Sequence, residues 1–178
     1  MAKARAHDLD DHDGPPRVLG VDPGLRLTGY AVVELPRQGG LEPRLLEAGV
    51  LKLTGRTMEG RLIQLREELD GIIAEHRPAH AAIEKLYAHY KHPRTAILMA
   101  HARGVLLLAA AQRGLAVEHL PATEVKKAVA GYGHASKRQV QLAVQAQCRL
   151  AEPPSPPDVA DAIAIALCHG RRLAVAQL

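Results

Sequence analysis

Phenylalanine and tryptophan are absent, and four tyrosines, Tyr30, Tyr87, Tyr90 and Tyr132, make up the whole aromatic complement. So few rings argue against a platform that stacks successive bases of a single strand. Cysteine is nearly absent too. Cys148 and Cys168 show no metal-ligand spacing and follow no secretory signal, so reduced thiols in a cytoplasmic protein are expected. The longest apolar run, Val105 to Ala111, is too short to span a bilayer. The helical stretch around it carries His101, Arg103 and Arg113, and no membrane anchor is expected. There is no glycine-rich loop of the P-loop kind and no internal repeat.

Of the 178 residues, 47% are hydrophobic and 24% charged, enough apolar surface to build a core at the size of one domain. The formal net charge of +4 favours a polyanionic partner. Met1 to Pro16 is polar, rich in Asp and His, and ends in Gly-Pro-Pro, the composition of a disordered leader.

Periodicity organises the remainder. Val18-Leu19-Gly20-Val21 is a short apolar run ending at Asp22-Pro23-Gly24, and Thr28 to Leu35 is a second, so the two predict a hairpin with a buried first strand. Leu45 to Leu53 predicts a third strand. From Met58 to His76, Leu62, Leu65, Leu69, Ile72 and Ile73 recur at helical spacing. Ala79 to Ile83 is a small apolar strand ending in Glu84, followed by a loop from Lys85 to Arg94. Thr95 to Arg113 predicts a helix that is apolar nearly all round. Such a helix asks for cover on two sides, the sheet on one and a second subunit on the other. Leu115 to Leu120 predicts a fifth strand, and a short helix opens near Pro121 or Thr123. Another helix runs from Ser136 to Leu150. Pro153 to Pro157 forms a stiff linker, and a last helix begins at Asp158. This order predicts an α/β fold, a mixed five-stranded sheet flanked by helices in the manner of ribonuclease H.

Four carboxylates stand at informative places. Asp22 and Glu84 each end a strand, while Asp158 and Asp161 lie three apart on one face of the last helix's first turn. Taken singly, each has a structural explanation as a turn residue, an N-cap or a complement to the helix dipole. If the strand ends converge on that helix start, the crowded charge needs protons or divalent cations to neutralise it. Hard oxygen ligands favour Mg2+ or Mn2+ over zinc or copper. A site of this kind holds two ions roughly 4 Å apart for in-line hydrolysis of a phosphodiester.

These landmarks together resemble a known family. Val18-Leu19-Gly20-Val21-Asp22-Pro23-Gly24 with Thr28-Gly29-Tyr30 looks like the opening of the RuvC crossover junction endodeoxyribonucleases, which resolve Holliday junctions. Ala82-Ile83-Glu84-Lys85 resembles the family's second motif and His101-Ala102-Arg103-Gly104 its following helix. Pro157-Asp158-Val159-Ala160-Asp161-Ala162-Ile163-Ala164 resembles the closing motif. The likeness runs from about Arg17 to Arg172, and it implies that residues 17–178 form a single ribonuclease H-like nuclease domain. It implies a metal-binding catalytic set of Asp22, Glu84, Asp158 and Asp161 with two ions per subunit. It places Tyr87 near the junction centre, and Lys126 and Lys137 on phosphates near the scissile bond, with Lys127 and Arg138 extending the basic surface. It further implies a homodimer that makes paired symmetric nicks leaving 5′-phosphate and 3′-hydroxyl ends, and association with the RuvA–RuvB branch-migration complex. Roles in recombination and repair follow from that activity.

Three other functions compete. A ribonuclease H-like enzyme on structured RNA would keep the fold, but the apolar helix and the Lys126/Lys137 surface favour junction DNA. A non-enzymatic junction binder would be expected to lack one of the carboxylates. An actin-like ATPase needs two such domains with phosphate loops, for which the chain is too short. His134 and His169 are expected at the surface or near a helix end.

Overall fold

The computed structural model describes residues 14–36, 42–86 and 93–176. Most of the expected leader lies outside the described residues, as do Tyr87, Tyr90 and Lys91. The elements are β1 (Arg17–Asp22), β2 (Leu27–Glu34), β3 (Arg44–Lys52), α1 (Met58–His76), β4 (His80–Glu84), α2 (Pro93–Gln112), β5 (Ala116–Leu120), α3 (Ala122–Ala130), α4 (Lys137–Cys148) and α5 (Pro157–Ala176). The number and order of elements agree with the sequence pattern.

The five strands form one mixed sheet in the order β3-β2-β1-β4-β5. β1 pairs antiparallel with β2 and parallel with β4, and β4 pairs parallel with β5. β1 and β4 are therefore central neighbours that end on the same side, with Val21 opposite Ile83. Strand alternation divides their side chains between two cores. Leu19, Val21, Ala81 and Ile83 face α1 and α2, together with Leu65, Leu69 and Leu106. Val18 and Ala82 face the other way, onto Ile163, Ala166 and the helical layer of α3, α4 and α5. Asp22 and Glu84 fall in step with this second set, so both carboxylates are aimed at the α5 side.

The sequence supplies the helix ends. Thr57 caps α1 by accepting from the Gly60 amide, and Ser136 with Gln139 forms a capping box at α4. Pro157 stands first in α5, where its missing N–H costs nothing. α3 starts from Pro121 without a side-chain cap.

Two glycines decide how closely α5 approaches the sheet. A Cβ on Gly20 would meet Ala162 O and Ala166 N, each at 2.5 Å, and one on Gly29 would meet Asp158 O at 2.1 Å. Only glycine lets the α5 backbone lie directly on β1 and β2.

α2 has two characters. Ala102, Leu106, Ala109 and Ala110 are buried against α1 and the sheet, whereas Ile97 is 56% and Leu108 55% exposed. Arg94–Gln112 is long and apolar enough, by length and composition alone, to cross a membrane, which the short run Val105 to Ala111 did not reveal. Its buried face belongs to the core of the sheet, and Arg103 within it is engaged by β4 and β5 as described below.

Candidate active site

The register places Asp22 and Glu84 one residue beyond the paired Val21 and Ile83, on adjacent strands about 4.8 Å apart. The β1–β2 connection that carries Asp22 is closed by Thr28, a fully buried residue. Its hydroxyl donates to Gly24 O at 2.6 Å and accepts from Gly24 N at 3.2 Å. A Cβ on Gly24 would meet Leu27 O at 2.0 Å, so this tight turn requires glycine. The start of α5, seated on Gly29, brings Asp158 and Asp161 to the same place.

Electrostatics report the convergence. The Asp22 carboxyl is pushed up to about 7, first by burial and then by the charges of Asp161, Glu84 and Asp158. Glu84 is raised by burial and by Asp161, against the pull of Lys126 and Lys137. Asp161 is raised by burial, opposed by Lys137, whose Nζ lies 3.7 Å from its Oδ2, and raised again by Asp158. Four carboxylates thus share one field, and two lysines supply too little positive charge to offset it.

That deficit, and the all-oxygen donor set, fit hard divalent cations. The oxygens are not drawn into a single tight shell: no three of the four residues bring ligand atoms within 4.8 Å of one another. The compact set among the described residues is Glu47, Glu75 and His76, away from these carboxylates on β3 and the end of α1. There Glu47 is already engaged, accepting from the Tyr30 hydroxyl at 2.5 Å and lying 2.8 Å from His76 Nε2.

Of the residues expected on DNA, Lys126 and Lys137 flank the carboxylates from α3 and α4. Arg138 is exposed on the first turn of α4. Tyr87 lies outside the described residues. His169 departs from expectation: it is 7% exposed and packs edge-on to His80 with ring centroids 5.6 Å apart, at the sheet end opposite the carboxylates. Eleven residues separate it from Asp158 on α5, about 16 Å along the axis. His134 is exposed and pairs edge-on with Tyr132.

One positioning residue went unread in the sequence. Arg103 of α2 donates from Nε to the Glu84 carbonyl at 3.4 Å, and its Nη2 lies 2.7 Å from His119 Nδ1. A guanidinium inside an apolar helix was the available signal, because such a group is buried only with partners.

Residues 18–169 match the family Crossover junction endodeoxyribonuclease RuvC. A protein of that description from Rhodopirellula baltica is 51% identical over 154 residues, covering 85% of this chain and 84% of the relative. The Thermus thermophilus RuvC structure superposes with a TM-score of 0.79 at 33% identity, covering 90% of this chain and 96% of that one. A structure of T. thermophilus RuvC in complex with Holliday junction substrate gives the same TM-score at 32% identity and the same coverage. With a ribonuclease H-like sheet, carboxylates gathered at its strand ends, and matches that span most of its length, this chain belongs to the RuvC family of crossover junction endodeoxyribonucleases.

Proposed function

We propose that this protein resolves four-way DNA junctions in recombination and repair by paired, symmetric, metal-dependent nicks that leave 5′-phosphate and 3′-hydroxyl ends. The observation that carries the proposal is the convergence of Asp22, Glu84, Asp158 and Asp161 on one field beside Lys126 and Lys137. These four carboxylates are the residues that would hold Mg2+ or Mn2+, two ions per subunit. When bound, the ions supply the positive charge that the site lacks and the Lewis acidity that phosphodiester hydrolysis needs.

The chain's own side chains do the rest. Lys126 and Lys137 hold phosphates beside the scissile bond, with Arg138 and Tyr87 further out on the DNA. Asp22, in the most buried and most crowded position, has its carboxyl raised to about 7, and positive charge in the site would favour its ionised form. Arg103 positions Glu84 by holding its carbonyl from α2. Ile97, His101, Gly104 and Leu108 form an exposed stripe along α2, and a Cβ on Gly104 would meet nothing within 4 Å. This stripe supports a homodimer in which each subunit offers one carboxylate cluster. Cytoplasmic location and partnership with RuvA–RuvB belong to the same proposal.

The test separates chemistry from recognition. Asp22→Asn and Glu84→Gln are each expected to lose junction cutting while binding the junction as tightly as the unmodified protein, or more tightly because negative charge is gone. Cutting that survives either substitution would remove the metal-site assignment.

A further inference from the structure

Lys126 and Lys137 lie on the helical layer that covers the α5 face of the sheet. On the opposite layer, beyond the same strand ends, a cleft of about 590 Å³ opens between the β1–β2 connection, the start of α1 and the start of α2. Asp158 forms one wall, so the cleft is continuous with the carboxylates. Three arginines, Arg26, Arg56 and Arg61, line it together with the apolar Leu98 and Met99. Arg61 is anchored, donating from Nε to Gly55 O at 2.8 Å. Arg26 and Arg56 are exposed, and their side chains form no hydrogen bond or ion pair among the described residues, although the Arg26 carbonyl accepts from the Leu53 amide at 2.9 Å.

An arginine in an ion pair spends its donors on the protein. Elsewhere in this molecule Arg17, Arg44, Arg113, Arg171 and Arg172 all meet carboxylates. Around this cleft the Arg26 and Arg56 guanidinium groups meet no carboxylate among the described residues, although Asp158 shares the same wall. A planar fork of five donors matches phosphate oxygens in two-point fashion, and an apolar floor suits sugar faces. A strand laid across the carboxylates is thus met by positive charge on both helical layers, amines on one and guanidinium groups on the other.

We infer that the Arg26–Arg56–Arg61 cleft binds backbone phosphates of the DNA strand being cut, on the opposite side of the scissile bond from Lys126 and Lys137, and so sets that bond over the carboxylates. The inference rests on the junction-cutting function proposed above and adds positioning residues to it.

The test is the salt dependence of binding to a synthetic four-way junction, read for wild type, Arg26→Gln/Arg56→Gln, Arg26→Lys/Arg56→Lys and Arg77→Gln. Arg77 caps α1 at the far end of the sheet. Each lost phosphate contact lowers the slope of log K against log[salt] by about 0.9. The double Gln variant is expected to lose roughly 2 from that slope, to keep the wild-type thermal midpoint, and to cut at a raised KM. The double Lys variant should recover the slope, and Arg77→Gln should leave it unchanged. A double Gln slope equal to wild type, in a protein that cuts junctions, overturns this inference alone. A wild type that neither binds nor cuts the junction overturns the inference together with the function on which it rests.

Discussion

Asp22 carries the sharpest conflict of any residue in the molecule. Its folded-state pKa of about 7 stands above the ordinary value of 3.8, because burial and three carboxylates disfavour the charge. The native state therefore holds a proton that the unfolded chain has released between about pH 4 and 7. The stability this contributes is complete below pH 4 and is lost as pH rises through 7. In chelator at pH 8, Asp22→Asn should melt several degrees above wild type, and the gap should be clearly smaller at pH 5. A thermal unfolding series at the two pH values checks this, and an unchanged midpoint at pH 8 contradicts it. His169 runs the other way. Burial, then His80 and Arg172, depress it to about 4 from 6.5, while Glu118 opposes them. Its contribution is present above pH 6.5 and disappears as pH falls towards 4. His169→Leu should flatten the fall in melting temperature across that window, measured against wild type by the same method. The four carboxylates were readable in the sequence because each ends or begins an element. The partners of Arg103, the Glu84 carbonyl and His119, were not, since they lie on strands that meet α2 only in the folded sheet.

The elements themselves were legible because short apolar runs mark the strands, helical spacing marks α1, and Gly, Pro and Thr stand near their ends. The adjacency of β1 and β4 was not, because no local pattern says that the chain leaves the meander and returns beside its first strand. That adjacency is what unites Asp22 with Glu84. The second hidden feature is the closeness of α5 to the sheet. Gly20→Ala and Gly29→Ala should each destabilise the protein by roughly 1–3 kcal/mol, and Gly29→Ala should also impair cutting by moving Asp158. Gly71→Ala on α1, where a Cβ meets nothing within 4 Å, should be neutral or stabilising by about 0.5–1 kcal/mol. Denaturant midpoints for the three variants decide the matter, and equal midpoints would show that α5 does not depend on glycine contact.

For the whole molecule, the proposed homodimer is tested at the exposed stripe on α2, where Ile97 and Leu108 stand more than half exposed. Replacing Ile97 and Leu108 together by Glu should turn a dimer into a monomer in light scattering after gel filtration, with the far-UV circular dichroism spectrum retained. A wild type that is monomeric at micromolar concentration would contradict the dimer. The most direct measurement is to incubate the purified protein with an end-labelled four-way junction, beside linear duplex and RNA hairpin controls, with Mg2+, Mn2+ or chelator. Two symmetric nicks on the junction alone, present with metal and absent with chelator, are predicted. Binding without nicking in either metal, or cutting of the RNA hairpin instead, would contradict junction resolution by this carboxylate site.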